Sequence, residues 1–239
     1  MDVRRFRADL YELTARATAG EGQEVRSKVF DIANILVGLY RKNFVKINHS
    51  ALELVCAKSL IKQGYDVKVE HKLDKSLVCD VMGTRGDGPL IVEIETGFIP
   101  PEAALKPSVY ARSRIASKIA RYSRFAGKFA LGTSPSYVLD FPDFFARPVR
   151  ARTAKEAAEI KKLTDVYYDN PSISIEELMY ARLHSVFVVD VDSGTTQEFD
   201  PEGYARSASA FIKRNQAPQL SDRTRHPRRG EFDLGGAAG

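Results

Sequence analysis

Asp80, Glu93 and Glu95 are the residues of this chain whose types and spacing best suit chemistry. They fall in two short apolar runs, Leu77–Met82 and Leu90–Gly97, joined by a Thr84-Arg85-Gly86-Asp87-Gly88 turn. The pattern predicts a hairpin. Alternate side chains of a strand share a face, so Glu93 and Glu95 point the same way. In the hairpin Asp80 joins them from the neighbouring strand. Carboxylates at the end of apolar strands are costly to bury without cations, and one divalent metal can serve all three.

Basic residues follow the hairpin directly. Between Ala103 and Leu139 lie seven (Lys106, Arg112, Arg114, Lys118, Arg121, Arg124 and Lys128) and no acid. The whole chain carries a net charge of +5, so without this tract it would be acidic. On a helix, Arg114, Lys118, Arg121 and Lys128 form one stripe with Arg124 at its edge. Ile115, Ile119, Tyr122 and Ala126 form the adjacent apolar stripe. This predicts a helix that packs its apolar side on a sheet and turns its basic side outward to grip phosphates.

Other reactive types are less organised. Glu53 follows Ser50 by three residues, the spacing of a helix capping box. The four histidines (His49, His71, His184 and His226) lack ligand spacing, and His71, ending a strand, is the one expected near the carboxylates. No Gly-x-Ser-x-Gly or paired Cys and His pattern supports a nucleophile. Two cysteines, Cys56 and Cys79, cannot make a four-thiolate metal site and suit a reduced intracellular compartment.

Asp, twelve residues, then Glu-x-Glu, on adjacent strands between two helices, resembles the PD-(D/E)XK nuclease superfamily over about residues 48–133. The resemblance implies a restriction-endonuclease-like core that hydrolyses DNA phosphodiester bonds, with RNA also open. It implies Mg²⁺ or Mn²⁺ held by Asp80 and Glu93, and it gives Glu53 a second role as a ligand from the first core helix. The third motif position, usually Lys, is Glu95 here. Three consequences stand open: Glu95 handles the water itself; Lys118 supplies the ammonium from the following helix; or chemistry is lost, leaving a nucleic-acid-binding or scaffolding module. Lys118-Ile119-Ala120-Arg121-Tyr122 is similar in part to the Gln-x-x-x-Tyr motif of RecB-like and Cas4-like nucleases, though Tyr122 reads rather better as a core aromatic. A phosphohydrolase of small nucleotides would fit the carboxylates and leave the basic helix unused.

Periodicity supplies the elements that must position these residues. It predicts helices over Val3–Arg16, Gln23–Arg41 and Ser50–Gln63, the last stopping at Gly64. A strand over Tyr65–Leu73 follows, with Val67 and Val69 alternating against Asp66, Lys68 and Glu70. Beyond the hairpin come a helix over Ser108–Phe125 and a buried strand over Phe129–Thr133. The class is α/β, a mixed sheet flanked by helices. An ordered loop over Ser134–Pro148, helices over Thr153–Tyr168 and Ser174–Leu183, a strand over Val186–Val191 turning at Asp192-Ser193-Gly194, and a helix over Tyr204–Arg214 complete the pattern.

The organisation read from this is a helical segment at 1–47, the nuclease-like core at 48–135, an α+β extension at 136–215 and a disordered tail at 216–239. The tail is rich in Pro, Gly, Ser and Arg. The helical segment or the extension offers a surface for a protein partner, and double-strand cutting would suit a homodimer. No apolar run nears the roughly 20 residues of a membrane span, and the start lacks the apolar stretch of a signal peptide. A cytoplasmic protein is expected.

Overall fold

Three helices open the chain: α1 (Val3–Ala17), α2 (Gln23–Arg41) and α3 (Ile47–Lys62). The computed structural model describes residues 2–86, 88–169 and 171–216. The Asp2 carboxylate caps α1 by accepting from the Arg4 N–H, and one face of the helix buries Phe6, Leu10, Leu13 and Ala17. α2 buries Val29, Ile32, Ala33, Leu36 and Val37 on one face in the same way. α3 differs, because Leu52, Leu54, Val55, Cys56, Ala57, Leu60 and Ile61 are buried all round its axis. A helix that is apolar on every side must be covered on every side. The sheet covers one side, and α1 with α2 cover the other.

The sheet has six strands in sequence order. β1 (Asp66–Lys72), β2 (Val78–Thr84) and β3 (Pro89–Glu95) form an antiparallel meander. β4 (Lys128–Thr133) runs parallel to β3, β5 (Ser185–Asp190) parallel to β4, and β6 (Thr195–Phe199) antiparallel to β5. Parallel neighbours need crossover connections. α4 (Pro107–Tyr122) makes the first, α5 (Ala154–Asp165) and α6 (Ile175–Tyr180) the second, and α7 (Pro201–Gln216) ends the described chain. Along β3, Leu90, Val92 and Ile94 pack in the core shared with α3, while Ile91 packs in the core shared with α4. Glu93 and Glu95 are in phase with Ile91, so they point into the α4 layer.

Several boundaries differ from the sequence reading for physical reasons. α3 starts at Ile47 with Lys46 as N-cap, so Ser50 lies inside the helix and the predicted capping box does not exist. The expected long helix stops at Tyr122 and a 3-10 turn covers Ser123–Phe125, which puts Ala126 and Lys128 outside it. β6 has no counterpart in the reading, because Thr-Thr-Gln-Glu-Phe is the polar pattern of an edge strand. β5 and β6, from the predicted extension, continue the same sheet through the pairing with β4. Gln216 belongs to α7, and the rest of the predicted tail lies outside the described residues. Among the described residues no helix is long and apolar enough to cross a membrane.

Candidate metal centre

The sheet opens at the carboxylates. β2 and β3 pair from Thr84↔Pro89 to Val81↔Val92 and no farther. Where Asp80 and Glu93 would come next, side chains replace backbone partners. The Asp80 N–H donates to Glu93 Oε1 at 3.1 Å, and the Ile94 N–H donates to Asp80 Oδ2. On its other side β2 pairs with β1 at Val69↔Val81 and His71↔Cys79 but not between them. Glu70, the residue skipped, has a left-handed φ of 48° that side chains rarely adopt. Val81 packs in the α3 core and Cys79 in the α4 core, although residues two apart on a regular strand share a face. This break lets side chains from both helical layers meet.

From one layer come His49 and Glu53, one turn apart on α3 and therefore on one face. His49 Nε2 lies 3.2 Å from Glu53 Oε1 and 3.2 Å from Asp80 Oδ1. Glu70 turns its carboxyl against that of Glu53. One donor atom each from His49, Glu53, Glu70 and Asp80 all lie within 4.8 Å of one another. From the other layer comes Lys118. Its Nζ is 2.8 Å from Glu95 Oε1, 3.1 Å from Glu93 Oε2 and 3.7 Å from Asp80 Oδ2, and it donates to the Ile94 carbonyl at 3.2 Å. Arg114, one turn earlier on α4, sets its Nε 3.2 Å from Glu95. Asp80 touches both layers.

Five carboxylates thus face two permanent cations. Glu53 is fully buried, and neither of its oxygens accepts a well-formed hydrogen bond despite the nearby imidazole. Burial, then the charges of Asp80 and Glu70, push its carboxyl well above the usual range. Burial and then Asp80 raise Glu70 as well. Glu93 is pushed up to about 8, by burial first and Asp80 second, against the pull of Lys118. Burial alone would also raise Asp80, but Lys118, His49 and the Ile94 N–H outweigh it and hold this carboxyl low. Burial disfavours the Lys118 ammonium, yet Glu93, Asp80 and Glu95 hold its pKa well above the usual lysine range. A cation beside the raised carboxyls would oppose these shifts. The four-donor set fits a divalent ion. Its three carboxylates suit Mg²⁺ or Mn²⁺, and its imidazole tilts the set toward the transition metal of the two.

Asp80, Glu93, Glu95 and Lys118 are therefore brought together, and Glu53 joins them free of any capping duty. Glu93 stands beside the four-donor set rather than in it, because its oxygens are taken by the Asp80 N–H and Lys118. The outward basic stripe is not what forms. Lys118 and Arg114 turn inward to the carboxylates. Arg121 donates to the Pro171 carbonyl and lies 5.9 Å over the Tyr168 ring, and Arg124 pairs with Asp74 and Glu177. Lys128 is exposed, but it sits level with Leu90, while Glu93 is level with Leu131. Arg112, Arg114, Lys118 and Arg124 find their acids elsewhere in the chain.

Tyr122 packs against the α4 core and donates its hydroxyl to the Val78 carbonyl, a structural role. The histidine at the site is His49, not His71, which sits in the β1–β2 ladder opposite Cys79. Sequence reasoning missed His49 and Glu70. The i,i+4 spacing of His49 and Glu53 on a helix was a usable signal. Glu70 gave none, because only its left-handed backbone turns it inward. Comparisons with protein-family models, with curated proteins and with solved structures returned no match, so the chemistry is read from the site itself.

Proposed function

We propose that this chain is a metal-dependent nuclease of the PD-(D/E)XK type, with α3, β1–β3, α4 and β4 as a restriction-endonuclease-like core and DNA as its substrate. The observation that carries the reading is the meeting of Lys118 with Glu93 and Glu95 beside a four-donor cluster whose Glu53 is buried without a hydrogen-bond donor. His49, Glu53, Glu70 and Asp80 would hold Mg²⁺ or Mn²⁺, which when bound supplies Lewis-acid polarisation of a phosphoryl oxygen and acidifies water. Glu93, titrating near 8, is poised to exchange a proton near neutral pH. An ammonium has three donors, and those of Lys118 are engaged by Glu93, Glu95 and the Ile94 carbonyl. Lys118 therefore locks both glutamates, and it reaches a phosphate oxygen only by releasing one of them. Two buried free cysteines accord with a cytoplasmic setting.

That full engagement of Lys118 is also what favours the second reading, a fold that binds nucleic acid without cutting it. Cleavage of supercoiled, linear and single-stranded DNA, with Mg²⁺, Mn²⁺ or EDTA, separates the two. Metal-dependent cutting is expected, and Asp80→Ala and Glu53→Gln should each lower it by at least about a hundredfold, the upper end of what losing a mere supporting partner of a metal ligand costs. Lys118→Met should lower the turnover rate while leaving metal binding measurable. DNA binding with no cutting of any substrate selects the inactive module.

A further inference from the structure

We infer that the mouth of the site carries a stacking platform for unpaired bases, built from Phe98 with Phe44 and Lys46, so that the substrate strand is single-stranded where it enters. This rests on the nuclease reading for the identity of the ligand and deepens it. Among the described residues, Phe44 and Phe98 are the two phenylalanines exposed by more than half, at 71% and 59%. A bare aromatic ring held next to cations at a reactive site points to an occupant.

Chain position ties Phe98 and Lys46 to residues of the site, and Phe44 lies two residues before Lys46. Phe98 lies three residues beyond Glu95, and Lys46 three before His49. Lys46 Nζ sits 5.7 Å from the centre of the Phe98 ring, so the α2–α3 link and the β3–α4 loop meet at this point. Each loop is held. Buried Val45 anchors the first, between exposed Phe44 and Lys46. In the second, Gly97 adopts a φ of 75° and packs so closely on Tyr137 that a Cβ would lie 2.6 Å from the ring. Phe98 thus follows a tightly packed turn.

Charge decides the occupant. Residues 42–49 contain Lys42 and Lys46 and no acid. Cations interleaved with exposed rings are what a nucleic-acid strand needs, its phosphates on the lysines and its bases on the rings. A blunt duplex keeps its bases stacked on one another and offers none to Phe98.

The chain has no tryptophan, so Phe98→Trp creates a single emitter at the proposed platform. An oligothymidylate should quench this emission, with Ca²⁺ in place of Mg²⁺ or Mn²⁺ and again in EDTA. An abasic oligonucleotide of equal length and charge should not. Phe98→Ala should weaken oligothymidylate binding, read by anisotropy, roughly ten- to hundredfold, and Phe98→Tyr should retain it, since one stacked base contributes about 1–3 kcal/mol. Binding without quenching, equal quenching by the abasic strand, or an unchanged Phe98→Ala affinity overturns the inference. So does emission that responds only to protein concentration, which would mark a contact between copies. The readout needs no cleavage. Quenching in a protein that cuts nothing keeps the platform and removes the nuclease, whereas duplex cutting without quenching does the reverse.

Discussion

Glu93 shows how one side chain couples the site to the stability of the whole. Its carboxyl titrates near 8 in the fold against an ordinary 4.5. A carboxyl raised in this way contributes its full stability below the ordinary value and loses it as pH climbs through the raised one. Glu53 and Glu70 are shifted in the same direction by burial and mutual repulsion. Asp80 is shifted the opposite way, so its contribution is lost on the acid side, as pH falls below the ordinary 3.8. The metal-free protein should therefore be most stable in mild acid and weaken steadily from about pH 5 to 8. Urea denaturation across that range in EDTA checks the trend. Glu93→Gln, which has no proton to lose, should flatten the decline. A slope unchanged in that variant would mean that Glu93 is not the group that titrates.

At the scale of elements, the site depends on where β3 ends and how the chain leaves it. Thr96 and Gly97 turn the chain away from Glu95, and Gly97 does so with a backbone open to few other residues. Gly97→Ala adds a Cβ that meets Tyr137, itself tied back to β4 through its carbonyl and the Thr133 hydroxyl. The expected cost is about 1–3 kcal/mol, from strained φ and overpacking together. Trimming the ring as well, in Gly97→Ala with Tyr137→Ala, should cost less than the two single changes added. Denaturation midpoints of the four proteins measure that coupling. α3 and α4 supply the other half of the device, each presenting two polar groups one turn apart, His49 with Glu53 and Arg114 with Lys118. Each helix keeps an apolar side in its own core, and the pairs meet only where the β2–β3 ladder has opened.

Across the described residues, several basic side chains are engaged by acids and carbonyls of other elements, while others, Lys42, Lys46 and Lys128 among them, stay exposed. Lys118 and Arg114 hold carboxylates, Arg124 bridges Asp74 and Glu177, and buried Arg152 donates to the carbonyls of Phe145, Arg147, Met179 and Ala181. Among the described residues, the basic tract after the hairpin therefore forms no single outward stripe. The acidic centre holds more carboxylates than permanent cations, and a cation bound there should stabilise the entire fold. At a hundredfold excess over its dissociation constant, Mn²⁺ should add about 2.7 kcal/mol, a rise of roughly 5–10 °C in melting temperature for a chain of this size. Calorimetry with Mn²⁺, Mg²⁺ and EDTA reads this directly. The rise should vanish in Asp80→Ala and in Glu53→Gln.

The sequence by itself determined the α/β class, the order of helices and strands through β5, and the shared face of Glu93 and Glu95. All of these follow from local periodicity, in which the period of two or 3.6 residues is written into neighbouring side chains. Only the tertiary structure decided which way the arginines and Lys118 turn, because their acids arrive from β2, β3 and α6. It alone brought His49 and Glu70 to Asp80, since a left-handed residue and an interrupted ladder are properties of strands already paired. It also removed the capping role of Glu53. Ser-x-x-Glu is a local pattern, whereas the start of α3 at Ile47 is set by the buried surface that the helix must bring to the sheet.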